Sequence, residues 1–276
     1  MSQNNNLYIF YHIPKSGGTF FRDHAMLYAM DRNNPNRQIY DLCSTKINVG
    51  CNHFFVANFY TLKHDTSKYH EQTIDYEIFK NCCDSNVFQL YSISIVSVSR
   101  FKDTQKLIDK ITTKYNFDPI YITLLRNPIT RLQSIFYYNT EFGEWEKNHQ
   151  TISQNTFHEY IHSKDLEKNW VIDHINQRDI STDPTEKDLQ QAINTLKDFH
   201  IVGILENIEQ FELDIWKYGI KYRPLNAPFY DKYPIEKAMN KNTKSIKEHI
   251  TPDDMSYLLS QCKYDMALYN YFSQKN

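Results

Sequence analysis

The stretch that most restricts what this chain can fold into is residues 7 to 18, a short apolar run followed at once by a glycine turn. Leu7 to Ile13 is strand-length and built from β-favouring residues, and Pro14 ends it. Lys15 to Gly18 then reads as a loop. From Thr19 the apolar residues Phe20, Phe21, Ala25, Leu27 and Tyr28 recur at helical spacing to about Asp31. The unit is strand, glycine loop, helix. The chain holds only 6 Gly in 276 residues, and two of them stand side by side at Gly17 and Gly18. Adjacent glycines in so glycine-poor a chain mark a backbone that something approaches closely.

The rest of the chain repeats the alternation. A strand is expected at His53 to Phe59, another near Ser92 to Val98, and a helix near Lys102 to Lys114. Pro119 to Leu125 is a second buried strand, and it stops at Arg126-Asn127-Pro128, with Pro128 suited to the first turn of a helix reaching about Tyr138. Short helices are expected at Thr156 to His162 and Trp170 to Gln177, and a longer one at Pro184 to Asp198. His200 to Leu205 is a further strand, followed by helices near Ile208 to Tyr218, Pro252 to Leu259 and Tyr264 to Phe272. Strands alternating with helices imply an α/β fold, a parallel sheet flanked by helices on both faces. Neither a repeat nor a Gly/Ser linker interrupts it, so residues 1–276 read as a single domain with an insertion at about 61–115.

Composition excludes several classes. With 41% hydrophobic and 15% aromatic residues the chain has ample core material. Its 31 Lys+Arg against 33 Asp+Glu leave a formal charge of −2, which argues against a nucleic-acid partner held by bulk positive potential. No apolar run approaches a membrane span. The polar stretch Met1 to Asn6 does not read as a secretory signal. Five cysteines, at 43, 51, 82, 83 and 262, are odd in number and lack Cys-x-x-Cys spacing. Reduced thiols and a cytoplasmic location are the expectation.

The loop at 14–18 lies where backbone amides and the positive end of a helix dipole converge on an anion. Ser16 and Thr19 add hydroxyls, and Lys15 adds a point charge. A nucleoside triphosphate loop carries its lysine after the glycines, whereas here the lysine comes first. Magnesium-dependent ATP chemistry also calls for a carboxylate at a neighbouring strand end, but the second strand ends in Arg126. Arg126, with Ser134 on the helix that follows, forms a second anion-binding set through charge-assisted bonds. Two such sets at the carboxyl ends of parallel strands describe a ligand with two separated phosphates.

These residues resemble the PAPS-dependent sulfotransferases, in particular the carbohydrate type that includes the heparan and uronyl 2-O-sulfotransferases. His12-Ile13-Pro14-Lys15-Ser16-Gly17-Gly18-Thr19 resembles that family's 5′-phosphosulfate loop, and Leu125 to Ser134 its 3′-phosphate motif. Weaker likenesses are Val202 to Glu206, Lys241-Asn242-Thr243 and Asp265 to Tyr269. The resemblance implies a P-loop-like, sulfotransferase-like fold. It implies PAPS as donor, PAP as product, no metal, and transfer of a sulfuryl group to a hydroxyl of a carbohydrate or glycan precursor. Lys15 would neutralise charge on the leaving phosphate, and Ser16, Gly17, Gly18, Thr19 and Phe20 would cradle the 5′-phosphate. Arg126 and Ser134 would hold the 3′-phosphate, and Lys241 and Thr243 would close over the cofactor.

On the acceptor side the chain departs from that family, which carries a Gly-His pair after the second strand, the histidine serving as general base. Here the residues are Val56-Ala57-Asn58-Phe59, and Asn58 takes no proton at neutral pH. His53, His64, Glu141 and Glu144 are the alternative bases; a PAP-binding pseudoenzyme without a base and a nucleotide-dependent phosphotransferase are the alternative functions. His158-Glu159-Tyr160-Ile161-His162 is moreover a literal H-E-x-x-H, the zinc-protease signature, with Glu167 or His174 as the only nearby third ligands.

Overall fold

The computed structural model describes residues 6–18, 39–41, 46–47, 55–56, 95–98, 101–142, 154–178, 182–218 and 250–275. Seven strands form one sheet: β1 (Asn6–Tyr11), β2 (Ile39–Asp41), β3 (Lys46–Ile47), β4 (Phe55–Val56), β5 (Ile95–Val98), β6 (Asp118–Leu125) and β7 (Ile201–Ile204). Around them stand α1 (Phe101–Tyr115), α2 (Pro128–Phe142), α3 (Phe157–Ile161), α4 (Trp170–Asn176), α5 (Glu186–Lys197), α6 (Ile208–Lys217), α7 (Pro252–Gln261) and α8 (Lys263–Ser273). The architecture is α/β, as the alternation predicts. β3 departs from it, pairing antiparallel with β2, whereas every other pairing in the sheet is parallel.

The strand order is β3-β2-β4-β5-β1-β6-β7. The chain leaves β1 toward one side of the sheet and, after β5, crosses to β6 on the other. β1 and β6 therefore flank a point where the order reverses, and the loops after them depart in opposite directions. The carboxyl ends of the strands at such a reversal are the crevice where open α/β sheets receive ligands. β5 and α1 come from the 61–115 stretch, and β5 pairs along its whole length with β1, Tyr8 opposite Ile95 and Tyr11 opposite Val98.

β1 is buried on both faces: Leu7, Ile9 and Tyr11 are 0% exposed and Tyr8 and Phe10 scarcely more. This explains why its sequence is a continuous apolar run without alternation. Leu7, Ile9 and Tyr11 join Ile108 and Ile111 of α1, Ile172 and Ile175 of α4, Ala192 and Leu196 of α5 and Leu268 of α8 in one core cluster. A second cluster joins Leu132 and Phe136 of α2 to Phe157, Tyr160 and Ile161 of α3 and Leu258 of α7. Each such side chain, taken wholly out of water, contributes about 1.5–3 kcal/mol. Polar bonds add to this packing: between strands, Thr123 Oγ1 of β6 donates to the Tyr11 carbonyl of β1 at 2.8 Å, and between sheet and helix the Tyr11 hydroxyl donates to the His174 carbonyl of α4 at 3.0 Å.

β7 needs its glycine for packing. A Cβ at Gly203 would lie 2.1 Å from Cδ2 of Phe211 and 2.9 Å from Cδ1 of Leu124. Phe211 is 1% exposed and has no room to retreat. Gly203→Ala is expected to destabilise the protein by about 1–3 kcal/mol through overpacking, measured by urea unfolding, with Phe211→Leu restoring part of the loss in the double variant.

Candidate functional site

The crevice is built by two loops. After β1, His12 and Ile13 lead into a turn in which the Ser16 amide donates to the Ile13 carbonyl at 3.2 Å. Lys15 has φ 65° and Gly17 φ 87°, both left-handed. For Gly17 this costs nothing; for Lys15 it is strain of order 1 kcal/mol or more, held by the surrounding structure. Both glycines of the loop also serve its packing. A Cβ on Gly17 would meet Leu124 at 2.7 Å and Leu205 at 2.8 Å, and one on Gly18 would meet the His12 ring at 2.1 Å. Packing of the loop onto β6, the residue after β7 and His12 already demands them, whatever approaches from outside.

Arg126 leaves the end of β6 and turns back onto the first loop, donating from NH1 to the Lys15 carbonyl at 3.0 Å and from Nε to Thr130 Oγ1 at 3.0 Å. Arg131, one turn into α2, donates from Nε to the Pro14 carbonyl at 3.2 Å and from NH2 to Glu167 at 2.9 Å, its guanidinium over the Trp170 ring at 4.2 Å. It is 2% exposed. Two arginines thus hold successive carbonyls of the Pro14-Lys15 turn. Among the described residues Arg126 has no ion pair within 4 Å; its nearest negative charge, Glu206, accepts from the Asn127 amide, from Thr130 Oγ1 and from the Tyr269 hydroxyl. Through that last bond the Val202–Glu206 and Asp265–Tyr269 segments meet beside the crevice. Asp265, wholly enclosed, accepts the Val171 and Ile172 amides at 3.0 Å and so caps α4 from another helix; burial raises its carboxyl to about 6.

The Lys15 Nζ sits 3.7 Å above the Tyr138 ring. Burial, with the charges of Arg126 and Arg131 beside it, lowers its pKa to about 8. Burial also pushes the Arg126 guanidinium down. The Ser16 hydroxyl is buried and has no hydrogen-bond partner among the described residues. Crowded cations, a strained turn and an orphaned hydroxyl at one crevice are what an anion would relieve. Lys15, Arg126 and Ser16 together form a donor set of the kind that binds an anion.

Of the residues picked out in the sequence, Lys15, Ser16, Gly17, Gly18 and Arg126 come together here. Ser134 is buried on α2, two helical turns beyond Arg126. Thr19, Phe20, His53, Asn58, His64, Lys241 and Thr243 lie outside the described residues. Tyr138 and Thr130 were not anticipated, although Thr130 stands four residues from Arg126 and faces it on the first helical turn. Arg131 is the most enclosed of these cations.

The H-E-x-x-H motif falls on α3 and its C-cap. His158 and His162 share a face, their rings 4.9 Å apart. The third ligands expected from sequence are elsewhere: Glu167 pairs with Arg131, and the His174 ring stacks between Trp170 and Tyr11. Asp254 of α7 meets both histidines instead, its carboxylate 3.0 Å from His158 Nδ1 and 3.1 Å from His162 Nε2. Bonds from His158 foremost, and from His162 and Thr251, hold it at about 2. Glu159 accepts the Asn155 and Thr156 amides in a capping box and is committed to the start of α3.

No protein-family model matches the chain, and no curated protein matches it either. No helix among the described residues is long and apolar enough to cross a membrane.

The depressed Lys15 carries a stability consequence. Below pH 8 the folded protein bears the full penalty of the buried ammonium, and as pH rises from about 8 to 10.5 the folded state loses this proton before the unfolded chain does. Stability from this group therefore increases with pH over that window. Lys15→Met, which keeps the stem, is expected to stabilise the ligand-free protein at pH 7 by up to about 3 kcal/mol and to remove the slope above pH 8, read by urea unfolding at both pH values.

Proposed function

We propose that the protein is a PAPS-dependent sulfotransferase with a sulfotransferase-like, P-loop-like fold, acting on a hydroxyl of a carbohydrate or glycan precursor. The observation that carries this reading is the meeting of Lys15, Arg126 and the Ser16 hydroxyl, which has no partner among the described residues, at the β1/β6 reversal. When bound, PAPS supplies a sulfuryl group carried on a phosphate leaving group. Lys15 would hold the phosphate end of that group and stabilise its negative charge as leaving group. Ser16 and the loop amides bind the 5′-phosphate, and Arg126 with Ser134 binds the 3′-phosphate. Arg131 acts as a positioning residue, holding the Pro14 carbonyl and with it the turn that aims Lys15. The acceptor proton passes to a base outside this group, for which His53 is the candidate; Asn58 stands where the family carries its histidine. That substitution favours a second reading, a PAP-binding protein without turnover.

Calorimetry with PAP and with ATP tests the cofactor. PAP is expected to bind at least about tenfold more tightly, because each well-made charge-assisted contact to the 3′-phosphate is worth 1.5–3 kcal/mol. Tighter binding of ATP overturns the proposal. Transfer of labelled sulfate from PAPS to a panel of glycans is expected in the wild type and lost in Lys15→Ala, while Arg126→Ala weakens PAP more than it weakens AMP. PAP binding with no transfer to any acceptor selects the second reading.

A further inference from the structure

The pairing of the H-E-x-x-H histidines with a carboxylate from the far end of the chain has no part in the crevice chemistry. Ninety-six residues separate His158 from Asp254, yet the His158, His162 and Asp254 donor atoms all lie within 4.8 Å of one another. Two donors about 2.0–2.1 Å from one tetrahedral ion lie roughly 3.3 Å apart. The observed N···O separations of 3.0 and 3.1 Å are close to that value, so Asp254 already stands at ligand distance from both rings. Only the spacing between the two imidazoles has to adjust, by at most roughly 1–1.5 Å if an ion is to sit at normal bond lengths. Their side chains are 67% and 43% exposed, which leaves them room to rotate. Asp254, by contrast, is 5% exposed and fixed in the first turn of α7, its amide donating to Thr251 Oγ1 at 3.1 Å.

We propose that His158, His162 and Asp254 form a divalent transition-metal site of the zinc type, which clamps α3 to α7. Two imidazoles and one carboxylate select zinc, cobalt or nickel over magnesium and calcium, which prefer all-oxygen shells. In the bound state each ring coordinates as neutral imidazole through the nitrogen that faces Asp254 and carries its proton on the other nitrogen, any second ring proton being released to solvent. The outer face of the site is open to solvent, so water completes the shell. The site is not that of a protease. The only carboxylate in the motif, Glu159, is bound to the Asn155 and Thr156 amides at 2.9 and 3.3 Å, turned to the helix start and unavailable as a base for metal-bound water. Its role is mechanical. α3 and α7 already share a core through Phe157, Tyr160, Ile161 and Leu258, and the ion would fasten the rim of that contact.

The test uses the full-length protein stripped with chelator and titrated with cobalt(II) and zinc(II) alone, with a thermal unfolding scan at each metal concentration. One ion per chain is expected at this site, with a d–d spectrum in the cobalt form and a melting temperature several degrees higher once zinc exceeds its Kd about a hundredfold. His158→Gln, His162→Gln and Asp254→Asn should each weaken binding by about tenfold or more, since losing a direct ligand costs no less than losing its outer support. The two histidines are exposed, so their variants keep the fold and carry the test even if Asp254→Asn does not; circular dichroism verifies this. The chain has five cysteines, so the readout is the difference between wild type and variants. Binding of equal strength in wild type and in the His158→Gln/His162→Gln double variant overturns the proposal, as does the absence of any zinc-dependent shift in melting. PAP binding is expected to be the same with and without zinc, so neither result depends on the sulfotransferase reading.

Discussion

The buried guanidinium of Arg131 is the interaction on which the crevice depends. It reaches from α2 to the Pro14 carbonyl on one side and to Glu167 on the other, with the Trp170 ring beneath it. A charge this enclosed is tolerable only where its hydrogen-bonding capacity is met and a counter-ion is in contact. Meeting that condition ties together the turn after β1, the helix after β6 and the segment leading into α4. The turn then has little freedom, and Lys15 can be kept in a left-handed conformation that it would leave if unsupported.

Around that anchor positive charge accumulates that the described residues do not pair. Glu167 answers Arg131, and Glu206 lies near Arg126 but spends its oxygens on Asn127, Thr130 and Tyr269. Lys15 is left over an aromatic ring with its pKa pulled down to about 8. A fold selected for stability alone would not retain such an arrangement, and sites that bind anions commonly carry this kind of stored cost. The same trade is visible in the orphaned hydroxyl of Ser16.

Much of the fold could be read from the residues, because its signals are local. The apolar runs at β1 and β6, Pro128 at the first turn of α2, and the helical periodicity of α5, α6, α7 and α8 each depend on neighbours a few positions away. The ends agree with the expected ones to within about four residues. Where the reading fell short, the cause was distance along the chain. The crowding of Gly17 by Leu124 and Leu205 is one instance, since neither is near it in sequence. The enclosure of Arg131 is another, since nothing adjacent in sequence announces Glu167 or Trp170. The partner of the H-E-x-x-H histidines was sought at 167 and 174 and found at 254, where the only local sign is the Thr-Pro-Asp-Asp start of a helix.

Local sequence sets most of the strands and helices and puts a lysine, a serine and two glycines in the turn after the first strand, because backbone preference and hydrophobic period act over a few residues. Which polar groups meet is settled by the fold: Arg131 with Glu167, both histidines with Asp254, and Lys15 with no carboxylate among the described residues. Pairing energies depend on separation in space and on burial. Both are set by how the sheet order carries distant segments to the same edge, which no local pattern encodes.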